Sequence, residues 1–157
     1  MWPPNDGSIA NLEHMISYMG LRWVRRTIGP SQPGNWDAKL VAVANDLNAA
    51  NPNLGFKLDY ILNGNAYTTV SLVQEITNIA QKKAAGILKF VEGHNEVDNE
   101  PFSWNGVVYG GGAARPAAGS WNGVAAFHAA LYAGVRENST LNGVAVSNAY
   151  ICRWRMG

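Results

Sequence analysis

The strongest constraint on this chain is a repeated order, in which an amphipathic helix precedes a short apolar strand four times over. Ile9, Leu12, Met15, Ile16 and Met19 recur at helical spacing behind the cap candidates Asp6 and Ser8, and Gly20 supplies a stop. Leu21 to Arg26 then alternates around a β-rich centre, and Pro30, Pro33 and Gly34 make the loop after it. Asp37 to Ala50 repeats the helical pattern, with Leu40, Val43, Ala44 and Leu47 on one face, Asn35 as cap and Pro52 beyond the end. A second strand, Phe56 to Leu62, follows Gly55.

The third unit opens at the capping-box arrangement Ser71-Leu72-Val73-Gln74, turns Val73, Ile76, Ile79 and Ala80 inward, and leads through Gly86 into the strand Ile87 to Glu92. In the fourth, Ser120 or Asn122 caps a helix whose Val124, Phe127, Leu131 and Val135 share a face. Asn142-Gly143 then introduces Val144 to Ser147. Such alternation predicts an α/β fold with a parallel four-stranded sheet in the order 1-2-3-4, joined by right-handed crossovers.

The strand starts near residues 21, 56, 87 and 143 are spaced by 35, 31 and 56, so the last unit carries an insertion, the loop 97–119 after the third strand. Connections of this kind ordinarily run to about 2–6 residues. The aromatic content of this loop, Phe102, Trp104 and Tyr109, points to an ordered functional one. No hairpin signal is read as strong enough to compete with the helix–strand alternation.

The 157 residues suffice for one domain with a sizeable core. With 12 basic and 11 acidic residues and a net charge of +1, the chain carries no electrostatic footprint for nucleic acid or an anionic membrane. No apolar run approaches the roughly 20 residues of a membrane-spanning helix. Met1 to Asp6 has neither the basic nor the apolar region of a secretion signal. Cys152 is the one cysteine, which excludes a disulfide framework within the chain.

Parallel sheets of this class place ligands at the C-terminal ends of their strands. There the sequence delivers Arg25 and Arg26, then Asn63 to Asn65, then His94 to Glu96, then Asn148 and Tyr150. Amides and Arg bind sugar hydroxyls, and Trp or Tyr rings cover the apolar face of a pyranose, so the inventory suits a carbohydrate. Asn-rich strand ends are equally ordinary turn material.

Four acidic residues lie from Glu92 to Glu100, and Glu96 is the sharpest candidate among them. A carboxyl acts as a general acid near neutrality when burial or neighbouring charge raises its pKa, and Glu92, Asp98 and Trp104 are at hand to do so. The competing reading is a solvated acidic turn. His94 reads as a pocket wall, a donor that supports another site residue from behind, or a metal ligand. With His14 and His128 far off on helices, no metal constellation and no cofactor is expected. The glycine-rich run Gly110 to Arg115 lacks the Lys-Ser/Thr of a phosphate-binding loop and reads as a lid hinge.

Gly20-Leu21-Arg22-Trp23-Val24-Arg25 resembles the "G-[IL]-R-x-V-R" second strand of the retaining (β/α)8-barrel glycoside hydrolases of clan A, and Glu92-Gly93-His94-Asn95-Glu96 resembles their "E-G-x-N-E" fourth strand. The likeness covers nearly the whole chain. It implies a partial TIM barrel over residues 1–157, holding the second to fifth strands. It further implies that Glu96 is the acid/base, that Asn95 binds the hydroxyl beside the reacting carbon, and that Arg25 helps keep the site's carboxylates ionised. Arg25, His94, Trp104 and Tyr109 are the expected substrate-binding residues.

The clan's nucleophile is a second Glu on the seventh strand, about 5–5.5 Å from the acid. This chain holds no counterpart: Glu92 sits four residues before Glu96, roughly 13 Å away along an extended strand. The expectation is therefore a glycosidase-like segment with little hydrolysis of its own. The alternatives are a non-catalytic carbohydrate-binding module, or a half barrel that forms a homodimer through open sheet edges.

Overall fold

The computed structural model describes residues 8–27, 36–62, 66–94, 102–109 and 121–147. Helix α1 (Ile9–Met19) leads to strand β1 (Trp23–Thr27), α2 (Trp36–Ala50) to β2 (Lys57–Ile61), and α3 (Thr69–Ala84) to β4 (Leu88–Glu92). The two-residue strand β3 (Ala66–Tyr67) precedes α3. After β4 come β5 (Phe102–Trp104) and β6 (Val107–Tyr109), then α4 (Asn122–Glu137), a single 3-10 turn (Ser139–Leu141) and β7 (Val146–Ser147). No described helix is long and apolar enough to cross a membrane.

The four-stranded parallel sheet is present, but its order is β1-β2-β4-β7 rather than a run of consecutive strands. The missing members form a second sheet, β3-β5-β6, that the sequence reading did not contain. Its source is a two-residue turn inside the expected loop. Asn105 and Gly106 both take positive φ, 49° and 83°, and fold β5 antiparallel onto β6. Positive φ at both central residues is the turn that matches the twist of paired strands, and Asn-Gly is its preferred sequence.

The helices form where the apolar spacing predicts them, with shifts at their starts. The α3 capping box is made by Thr68 and Ser71, so the helix opens three residues ahead of the expected box. The buried stripe also differs from the expected one: Leu72 lies in the core with Ile76 and Ile79 at helical spacing, and Val73 is 58% exposed. Helix α4 begins at Asn122 with no side-chain cap, and Val124, Phe127, Leu131 and Val135 are all buried.

Asn48 in the last turn of α2 fixes the entry to β2. Its Oδ1 accepts from the Phe56 N–H at 2.7 Å, and its Nδ2 donates to the Phe56 carbonyl at 2.9 Å. A side-chain amide thus stands in for a neighbouring strand at a buried residue whose backbone groups must be paired.

The parallel sheet has two different faces. Leu58, Tyr60, Leu62 and Val91 join the stripes of all four helices in one core cluster, with Val24 packed against it. Trp23, Arg25, Asp59, Ile61, Phe90 and Glu92 lie outside that cluster. Trp23 and Phe90 meet edge to face at 5.8 Å across the second face. A register irregularity sets this division. Leu58 pairs with Leu88 but Asp59 pairs with Phe90, so one step of β2 spans two of β4, and the extra residue, Lys89, is exposed.

Candidate functional site

One cluster of ionisable side chains lies on that second face. Arg25, on the edge strand β1, is in register with Asp59 on β2. Glu92 ends β4 beside Ile61. Arg25 donates from Nε and Nη2 to Glu92 Oε2, at 2.9 and 2.6 Å, across 67 residues of sequence. Its Nε lies 3.9 Å from Asp59 Oδ2, an ion pair beyond hydrogen-bond range.

Asp59 is fully buried. Desolvation first, then the neighbouring Glu92 through charge and a side-chain hydrogen bond, raise its carboxyl against the opposing Arg25, to a net value of about 7. A buried carboxyl that titrates near neutrality beside a second carboxyl held by a guanidinium is the arrangement by which one fold obtains different chemistry from two like side chains. The sequence reading missed Asp59. Its signal was there, as a single acid in the middle of the apolar strand Leu58-Asp59-Tyr60-Ile61.

Beyond Glu92 the strand end is held from α4. Gly93 lies so close to the His128 ring that a Cβ in its place would overlap it. This corrects the expectation that His128 is remote: its ring packs on Gly93, the residue next to His94. Burial lowers the His128 pKa and favours the neutral imidazole. His94 is completely buried, edge-on to Phe102 at 4.8 Å. Among the described residues, no group of three or more His, Cys, Asp or Glu is placed to hold a metal ion.

The aromatic residues of the long connection serve a different purpose from the one expected. Trp104 is 9% exposed and meets Phe127 edge to face at 5.4 Å. Phe102 packs on the same Phe127 at 4.9 Å, and Tyr67 closes the cluster at 5.2 Å. Trp104 therefore belongs to the core that seats the second sheet on α4, and offers no open ring face for a sugar. Tyr109 is half-buried over Gly123, where any Cβ would strike its ring.

Asn95 and Glu96 lie outside the described residues, as do Asn63 to Asn65, Asn148 and Tyr150. Of the expected site, the structure thus brings Arg25 to Glu92 and places His94 just past the strand end. A separate, partly buried network lies on the helix-packed face. There Tyr60 donates to Glu75 Oε2 at 2.7 Å, and Lys82 pairs with Asp37 at 3.0 Å while lying 5.0 Å from the centre of the Tyr60 ring.

Comparison of the chain with protein-family models, with curated proteins and with solved structures finds no match.

Proposed function

We propose that the chain is the second-to-fifth-strand portion of a retaining glycoside hydrolase barrel, with Glu96 as its proton donor and Asn95 as a hydroxyl-binding residue. One observation carries the reading. Arg25, the last residue of the first barrel-like motif, donates twice to Glu92, the first residue of the second. The two motifs are 67 residues apart at these positions, yet they meet on one face of the sheet. A parallel sheet with its helix stripes gathered on one face also favours a barrel segment over a doubly wound sheet, which covers both faces.

In this reading the chain protonates a leaving group but supplies no carboxylate to attack the sugar. Azide can take that role from solution. It attacks the anomeric carbon, the bond to the aryl oxygen breaks, and that oxygen takes the proton from Glu96, which is reprotonated by water. The products are a glycosyl azide and a phenol.

The test is azide-dependent product formation from a panel of aryl glycosides, measured with the mass of the protein in solution, because the sheet edges β1 and β7 favour pairing with a second copy. Glu96→Gln should slow the reaction about 10²-fold with a phenyl leaving group and hardly at all with a dinitrophenyl one, which leaves without a proton. Equal rates for both proteins on the phenyl glycoside would remove Glu96 from the mechanism. No product, together with saccharide-dependent quenching of Trp fluorescence, would instead establish the carbohydrate-binding module. Neither signal with any sugar would end the carbohydrate reading.

A further inference from the structure

A buried carboxylate needs either donors or a proton. Neither Asp59 oxygen accepts a hydrogen bond from a described donor. Arg25, the cation facing it from β1, commits Nε and Nη2 to Glu92 instead. Glu92 faces it from β4, and on its own strand Lys57 is tied to the Gly86 carbonyl at 2.6 Å. What remains for Asp59 is to carry the proton and donate it to Glu92.

We propose that Asp59 and Glu92 share one proton, and that Asp59 is thereby a positioning residue: it holds Glu92, and through it Arg25, in a cluster that ties β1, β2 and β4 together until the proton leaves. Counted with Arg25, the protonated cluster is neutral. Without the proton, two carboxylates compete for one guanidinium, and Arg25 redistributes from Glu92 toward Asp59, already 3.9 Å from its Nε. This inference stands on the charge balance of the three side chains and is independent of any sugar chemistry.

The direction of the pH effect follows from burial, the neighbouring Glu92 and the opposing Arg25, which together leave Asp59 at about 7 against an ordinary 3.8. A folded-state pKa raised above the unfolded one means that folding takes up a proton. The stabilisation is complete below the unfolded value, declines as pH rises between the two, and is gone above about 7.

The experiment is a pH titration of the full chain by NMR, with 13C-labelled Asp and Glu carboxyls and the Trp23 indole N–H observed on the same face. The Asp59 carboxyl carbon should titrate near 7, with the Glu92 carbon and the Trp23 signal moving in the same step. Asp59→Asn carries a permanent donor in place of the proton and should remove that step from Glu92 and Trp23, whereas Asp59→Ala should loosen the cluster at every pH. An Asp59 carboxyl already ionised at pH 5 would overturn the proposal, a result that needs no variant to fold. So would a Glu92 step near 7 that persists in Asp59→Asn.

Discussion

Gly93→Ala probes how the end of β4 is held, and the outcome can be worked out beforehand. A Cβ at residue 93 would lie 3.1 Å from His128 Nδ1 and would overlap Cε1 and Nε2 outright. The ring is partly buried and flanked by Phe127, whose centroid is 6.0 Å away, so it does not swing aside freely. Inserting one carbon into a packed site of this kind costs about 1–3 kcal/mol. We take about 2 kcal/mol, roughly a thirtyfold fall in the ratio of folded to unfolded protein. His128→Ala alone loses part of a buried ring, but it opens the space that the new methyl needs.

In the double variant the two changes should therefore offset, with a favourable coupling of about 1–2 kcal/mol. Urea unfolding of the four proteins, followed by Trp fluorescence at pH 7.5, measures it. If Gly93→Ala costs the same with and without His128, the contact does not hold the strand end and the argument fails. The ring also supplies an internal check. Burial lowers its folded pKa below the ordinary 6.5, so the unfolded chain takes the proton first and stability falls as pH drops below that value. His128→Ala should remove this acid-side loss.

Two further outcomes follow from single contacts. Tyr60→Phe removes the hydroxyl that donates to buried Glu75 at 2.7 Å, and should cost about 1–3 kcal/mol in urea unfolding because a buried acceptor is left short of a donor; a loss below about 0.5 kcal/mol would mean that Glu75 finds other partners. Gly106→Ala meets no atom within 4 Å but keeps φ at +83°, so its cost of about 1 kcal/mol is purely backbone strain, and an unchanged unfolding midpoint would show that the hairpin turn does not need that conformation.

The alternation of helix and strand was legible because burial follows period. Leu40, Val43, Ala44 and Leu47 on α2 repeat at helical spacing and are all buried. The hairpin was legible too, since Trp104-Asn105-Gly106-Val107 carries the preferred turn dipeptide, but three-residue strands on either side give too little alternation to stand out beside the helical runs. The role of Trp104 could not be read at all. An aromatic residue in a long loop looks the same whether it faces a ligand or Phe127, and only the position of α4 decides. The start of α3 shows a local ambiguity of a different kind: Thr68 and Ser71 both suit a cap, and their reciprocal bonds choose Thr68.

The cluster on the second face depends on something that no periodicity contains. Leu88 belongs to the helix-packed core, and strict alternation from it would send Phe90 and Glu92 to that same side. Glu92 would then be a carboxylate on the side of Leu58, Tyr60 and Leu62, and Val91 would leave the core. The extra residue at Lys89 reverses the alternation. Lys89 goes to solvent, Phe90 meets Trp23, Val91 returns to the core, and Glu92 arrives where Arg25 can donate to it twice. The sequence motif around Glu92 is therefore only half of the specification. Its chemistry exists because one irregular step in β4 delivers the carboxylate to the face where β1 and β2 have already placed a guanidinium and a second acid.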